Sequence, residues 1–136
     1  MMVVDTSAII AILRMEPEAD AFLRAVSRAN PCFVSAVSLE EASLVLAGRH
    51  RGAAAWEGLD AFLARSEIQV VPFDYSLALL ARDAFVRYGK GRHEAALNLG
   101  DCASYALARD RDLPLLFKGG DFARTDIVPA LQAPKR

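Results

Sequence analysis

Four short apolar runs, at residues 2–4, 32–34, 68–71 and 113–117, alternate along this chain with longer stretches of helical spacing. Runs this short fit strands rather than helices, and their near-continuous apolar character suits strands covered on both faces. Helical patterns fall at 6–13, from Glu16-Pro17-Glu18 to about Ala29, and at 35–47, 53–65, 75–88 and 99–109. Proline and acidic residues are favoured in a first helical turn, which is why the second helix is started at Glu16. The third helix takes its apolar face from Val37, Ala42, Leu44, Val45 and Leu46. Strand and helix in alternation predict βαβ units and an α/β fold with a short, mostly parallel sheet of four or five strands. Ile127 and Val128 supply the fifth. No repeat, low-complexity tract or linker interrupts the pattern, so one domain is expected over 1–130, followed by a tail at 131–136.

With 136 residues, 54% of them apolar and 24% charged, the chain can bury a core of its own. Its net charge of −1 excludes a surface built throughout to grip nucleic acid, but not a local basic patch. Cys32 and Cys102 form no CxxC pair and have no histidine at ligand spacing, so they read as small buried hydrophobes in a reducing cytosol. No apolar run approaches the ~20 residues that cross a bilayer. The first residues lack a basic segment and Asp5 interrupts them, so no secretory leader is expected. A cytoplasmic protein follows.

The chemistry is carried by acids. Asp5 ends the first apolar run, Glu41 lies in the third helix, Asp101 opens the last helix, and Asp121 follows the last strand after Gly119-Gly120. In a parallel sheet, strand ends and helix starts gather at one edge. Carboxylates gathered there repel each other unless a cation sits between them, and hard divalent ions take such oxygen ligands. Each acid also has an ordinary reading. Asp5, Asp101 and Asp121 are all placed to cap a helix N-terminus. Glu41 is four residues from both Val37 and Val45, with no lysine or arginine three or four residues away, so it shares a face with apolar groups.

In combination, these segments resemble a known family. Val3-Val4-Asp5-Thr6-Ser7-Ala8, Val34 to Glu41, Leu99 to Ala108 and Leu115 to Phe122 stand in the order found in PIN-domain ribonucleases of the VapC toxin type. The resemblance runs from Met1 to about Val128. It implies a three-layer α/β/α sandwich and Mg²⁺- or Mn²⁺-dependent cleavage of RNA that leaves a 5′-phosphate. It also implies a homodimer and a cognate antitoxin. By the same resemblance Asp5, Glu41, Asp101 and Asp121 are the metal-binding and catalytic acids. The second block leaves a choice between Glu40 and Glu41, which the spacing from Ser35 and Ser38 decides for Glu41. Asp126, which follows Asp121 closely, is a candidate outer participant.

A metal-activated water attacking phosphorus in line needs no histidine or serine nucleophile. Ser7 and Thr6 either orient such a water or cap the following helix. For RNA, two basic loops stand out: Arg49, His50 and Arg51, then Lys90, Arg92 and His93, with Lys118 close to Asp121. Solvated turns are the alternative for both loops. Trp56, Phe73, Tyr75 and Tyr88 are suited to base stacking or to packing. Two other functions compete: a non-catalytic module on the same fold, and a HAD-like phosphatase suggested by Asp121 with Asp126. The phosphatase motif wants a second Asp two residues after the first, where this chain has Ser7.

Overall fold

A computed structural model describes residues 1–48 and 52–132. Its sheet has four strands, β1 (Met2–Val4), β2 (Cys32–Ser35), β3 (Ile68–Val71) and β4 (Leu115–Leu116), in the order β3-β2-β1-β4. Every pairing is parallel. Helices α1 (Thr6–Leu13), α2 (Ala19–Arg28), α3 (Ala36–Ala47), α4 (Glu57–Arg65), α5 (Tyr75–Tyr88) and α6 (Leu99–Arg111) connect and cover the strands.

Alternation along the strands divides the core in two. Met2, Val4, Cys32, Val34 and Leu116 face a cluster with Ile9, Phe22, Ala42, Leu59 and Phe62. Val3, Phe33 and Leu115 face the opposite cluster, with Leu77, Ala84, Cys102 and Leu107. Successive strand side chains point to opposite faces, so these apolar runs are buried on both. The result is the three-layer α/β/α sandwich that the sequence led us to expect.

Several boundaries differ from the sequence reading, each for a local reason. The Leu113 amide donates to Ala108 O, closing the end of α6 around Asp112, which has φ 53°. Pro114 has no N–H, so β4 is confined to Leu115–Leu116 instead of 113–117. The fifth strand is reduced to one bridge between Leu115 and Pro129, made by the Val128 carbonyl and the Ala130 amide. Helix α2 starts at Ala19, because residues 16–18 form a turn whose Glu16 carbonyl accepts from the Ala19 amide. A 3-10 turn over Gly52–Trp56 precedes α4, and the Trp56 indole donates to Ser43 O at 2.7 Å. Helix α6 runs on to Arg111. Residues 133–136 of the expected tail lie outside the described residues.

The expected inner face of α3 is the largest correction. Ser38 and Ala42 are its buried residues, while Leu44 is 66% exposed and Val45 39%. Glu41 does share a face with Val37 and Val45, but that face looks outward, towards Leu99.

Candidate active site

Parallel strands deliver their C-terminal ends to one edge, and the four acids arise from elements that end or begin there. Asp5 follows β1 and is 3% exposed. It caps α1 as the ordinary reading had it: Oδ2 accepts from the Ser7 amide at 3.0 Å and the Ser7 hydroxyl at 2.7 Å. Its Oδ1 accepts from Ser104 Oγ at 2.6 Å. Asp101, one turn into α6, belongs to a capping box: the Asn98 amide donates to Asp101 Oδ2 at 3.0 Å, and the Asp101 amide to Asn98 Oδ1 at 2.9 Å. Glu41 reaches from α3 to the backbone of Gly100, where a Cβ would stand only 2.5 Å from Glu41 Oε2. Asp121 is exposed and makes no capping bond to the 3-10 turn that follows it.

These positions share one electrostatic environment. Asp101 is pushed up to about 6 from an ordinary 3.8. Burial is the main cause, opposed by the bond to Asn98 and reinforced by the charges of Asp5, Glu41 and Asp121. Among the described residues, no lysine or arginine forms an ion pair with any of the four. An acid with a raised folded-state value holds its proton more tightly when folded, so its contribution to stability falls as pH rises from about 4 to about 6. In chelator, wild-type protein should therefore lose thermal stability across that window relative to Asp101→Asn, which lacks the titration. Melting curves that run parallel for the two proteins would contradict this account of Asp101.

Oxygen-only donors, shared negative charge and the absence of a protein counter-charge among the described residues fit a hard divalent cation. The side chains do not yet close on one point: among the described residues, no three acids, histidines or cysteines converge on a common ion position. Asp101 accounts for part of this, because its carboxylate is turned to its own helix cap. Glu40 is exposed beside Glu41.

The other expected site residues scatter. Lys118 Nζ is held by Glu16 and, at 3.1 Å, by Glu18. Its backbone amide donates to Ser7 Oγ at 2.9 Å, tying the loop before Asp121 to Asp5. Lys90 and Arg92 are exposed, with the Arg92 guanidinium over the Phe85 ring. Arg49, His50 and Arg51 lie outside the described residues. Asp126 is drawn away from the acidic edge: it accepts from Tyr105 at 2.5 Å and pairs with Arg87 at 3.5 Å. Partial burial opposes its ionisation, but Tyr105, Arg109 and Arg87 outweigh that and hold it below the ordinary carboxylate range. Burial, then this same bond, pushes Tyr105 up to about 12. Asp126, which the phosphatase reading joined with Asp121, is thus engaged by Tyr105 and Arg87. Of the aromatics, Tyr75 is 78% exposed, whereas Tyr88 packs against Tyr105 and His93.

Three site residues escaped the sequence reading. Gly100 cradles Glu41, and Ser38 and Ser104 lie fully buried behind Asp5. The available signal was a serine on the inner face of each of two helices, since a buried hydroxyl requires a partner. Beside the acids runs an apolar flank. One groove of about 410 Å³ is lined by Val37, Phe73, Ala81, Phe85 and Leu99. It adjoins another, of about 400 Å³, lined by Glu41, Leu44, Val45 and Leu99.

A family model described as the PIN domain matches residues 2–128. Ribonuclease VapC30 of Mycobacterium tuberculosis is 45% identical over 127 residues, covering 93% of this chain and 96% of its own length. Ribonuclease VapC28 of the same organism is 46% identical over 131 residues, covering 96% and 98%. Among solved structures, M. tuberculosis VapC20, described as a sarcin-ricin loop cleaving toxin, superposes with a TM-score of 0.74 at 21% identity, covering 94% of this chain and 97% of that one. VapBC2 from Rickettsia felis, bound to a DNA fragment from its promoter, has a TM-score of 0.73 at 15% identity, covering 94% and 95%.

Proposed function

Because the chain belongs to the PIN domain family, we propose that it is the ribonuclease toxin of a toxin–antitoxin pair, cutting RNA at its acidic edge with Mg²⁺ or Mn²⁺. The observation that carries this reading is the common environment of Asp5, Glu41, Asp101 and Asp121, with no ion pair to a lysine or arginine among the described residues. The names of its relatives support the activity. Structural neighbours described as toxin–antitoxin complexes support the partner.

Asp5, Glu41 and Asp101 would hold the ion and Asp121 would complete the set. Once bound, the ion supplies the charge that makes a water acidic enough to attack phosphorus and that offsets charge on the leaving oxygen. The protein contributes orientation: Ser7 fixes one oxygen of Asp5, and Gly100 leaves room for the Glu41 carboxylate. Asp101 would exchange its Asn98 amide for the ion. Lys90 and Arg92, with Arg49 and Arg51, would attract the RNA backbone. Lys118, already held by two acids, would contribute less. The apolar flank around Leu99, 82% exposed, suits a homodimer contact. A monomeric mass in solution would remove that part of the proposal. No helix among the described residues is long and apolar enough to cross a membrane, and cytoplasmic residence is part of the same proposal.

The purified chain should cut RNA when given Mn²⁺ or Mg²⁺, leave 5′-phosphate ends, and stop in excess chelator. Cleavage that continues undiminished in chelator would refute the metal-dependent reading. Failure to cut transfer, ribosomal or messenger RNA with Mn²⁺ bound would leave a binding module on this fold.

A further inference from the structure

Behind the acidic edge lies a short chain of buried hydroxyls. Ser104 Oγ is 2.6 Å from Asp5 Oδ1, and Ser38 Oγ is 3.0 Å from Ser104 Oγ. Both serines are 0% exposed. The ionised carboxylate only accepts, so the single hydroxyl hydrogen of Ser104 goes to Asp5. Ser38 must then be the donor to Ser104. The chain of bonds runs one way, Ser38 to Ser104 to Asp5, and each bond polarises the next. It joins α3, α6 and the end of β1, and Thr6 Oγ1 ties it to α1 by donating to Ser38 O at 3.2 Å.

Both Asp5 oxygens are thus held, one by Ser104 and the other by the amide and hydroxyl of Ser7. Rotating the carboxylate would break bonds that its buried surroundings cannot replace. We propose that Ser104, backed by Ser38, is a positioning residue that fixes the Asp5 carboxylate in one orientation and so sets the affinity of the acidic edge for its dication. The proposal rests on the metal-binding reading of that edge.

Calorimetric titration of Mn²⁺ alone into the full chain tests it, with metal-free melting recorded for each variant. Loss of a residue that orients a metal ligand typically weakens metal binding by ~10–100-fold, so Ser104→Ala should weaken Mn²⁺ binding about tenfold or more. Ser38→Ala leaves the bond to Asp5 in place and removes only its polarisation, so a smaller loss of about two- to threefold is expected. Ser43→Ala removes a helical hydroxyl bonded to Leu39 O, remote from Asp5, and should bind Mn²⁺ like wild type. Wild-type affinity in Ser104→Ala overturns the proposal, as does an equal loss in Ser43→Ala. If Ser104→Ala cannot be purified folded, wild-type affinity in Ser38→Ala overturns it instead. Asp5→Asn separates the two levels of the argument. A wild-type protein that binds no Mn²⁺, or an Asp5→Asn protein that binds it unchanged, refutes the metal centre itself and this proposal with it.

Discussion

Asp5→Asn should abolish RNA cleavage while leaving the protein folded. The expected loss is at least ~100-fold, because outer partners of a metal ligand alone command ~10–100-fold. The fold survives because the surrounding donors can adapt. With its amide oxygen towards Ser7, asparagine would point its NH₂ at Ser104. A hydroxyl rotates freely, so Ser104 can accept from that NH₂ and donate to Ser38, reversing the relay. One negative charge also leaves an edge where like charges crowd, which favours the metal-free protein. Cleavage assays paired with melting curves check both halves. Wild-type cleavage rates in Asp5→Asn would end the assignment of this edge as the site of chemistry.

Gly100→Ala should likewise cost activity, without loss of fold. The new Cβ would lie 2.5 Å from Glu41 Oε2, 2.6 Å from Oε1 and 2.7 Å from the carboxyl carbon. The obstacle is the end of a flexible side chain, so the carboxylate moves and the helix stays. Alanine within α6 is worth up to about 1 kcal/mol over glycine in helix propensity, so melting temperature should hold or rise. A displacement of about 1 Å at a reacting centre can cost ~100-fold, and a fall of about 10- to 100-fold in single-turnover cleavage is expected. Unchanged turnover would mean that Glu41 does not act from this position.

How much of this was visible in the sequence depended on whether the cause was local. Helix α5 was read at its true limits because Asp74 caps it, its side chain accepting from the Leu77 amide, and Gly89 ends it. Strands β1 and β3 were legible for a similar reason: short apolar runs met a polar residue or proline. The start of β4 was not, because the Leu113 amide is engaged by the α6 cap, a bond that an apolar pattern does not reveal. Asp5, Asp101 and Asp121 could be named from strand ends and helix starts, but the mutual orientation of the four acids could not. Glu41 was seen to lie among apolar neighbours, yet spacing alone could not tell that this face of α3 looks outward. Ser38 and Ser104 meet Asp5 only through contacts spanning 66 and 99 residues, which periodicity does not encode. Lys118 looked free for substrate because Glu16 and Glu18, its partners, are about a hundred residues away.

That captive lysine has a consequence for the order of events. Lys118, three residues before Asp121, is already neutralised by partners of its own, so it does not offset the repulsion that the bare acids present to a polyanion. On the proposed reading, a nucleic acid strand drawn in by the outlying basic loops is still repelled at the empty edge by the same groups that later act on it. Loading would then be sequential, ion ahead of strand, with the dication serving as the entry permit before it serves as the reagent.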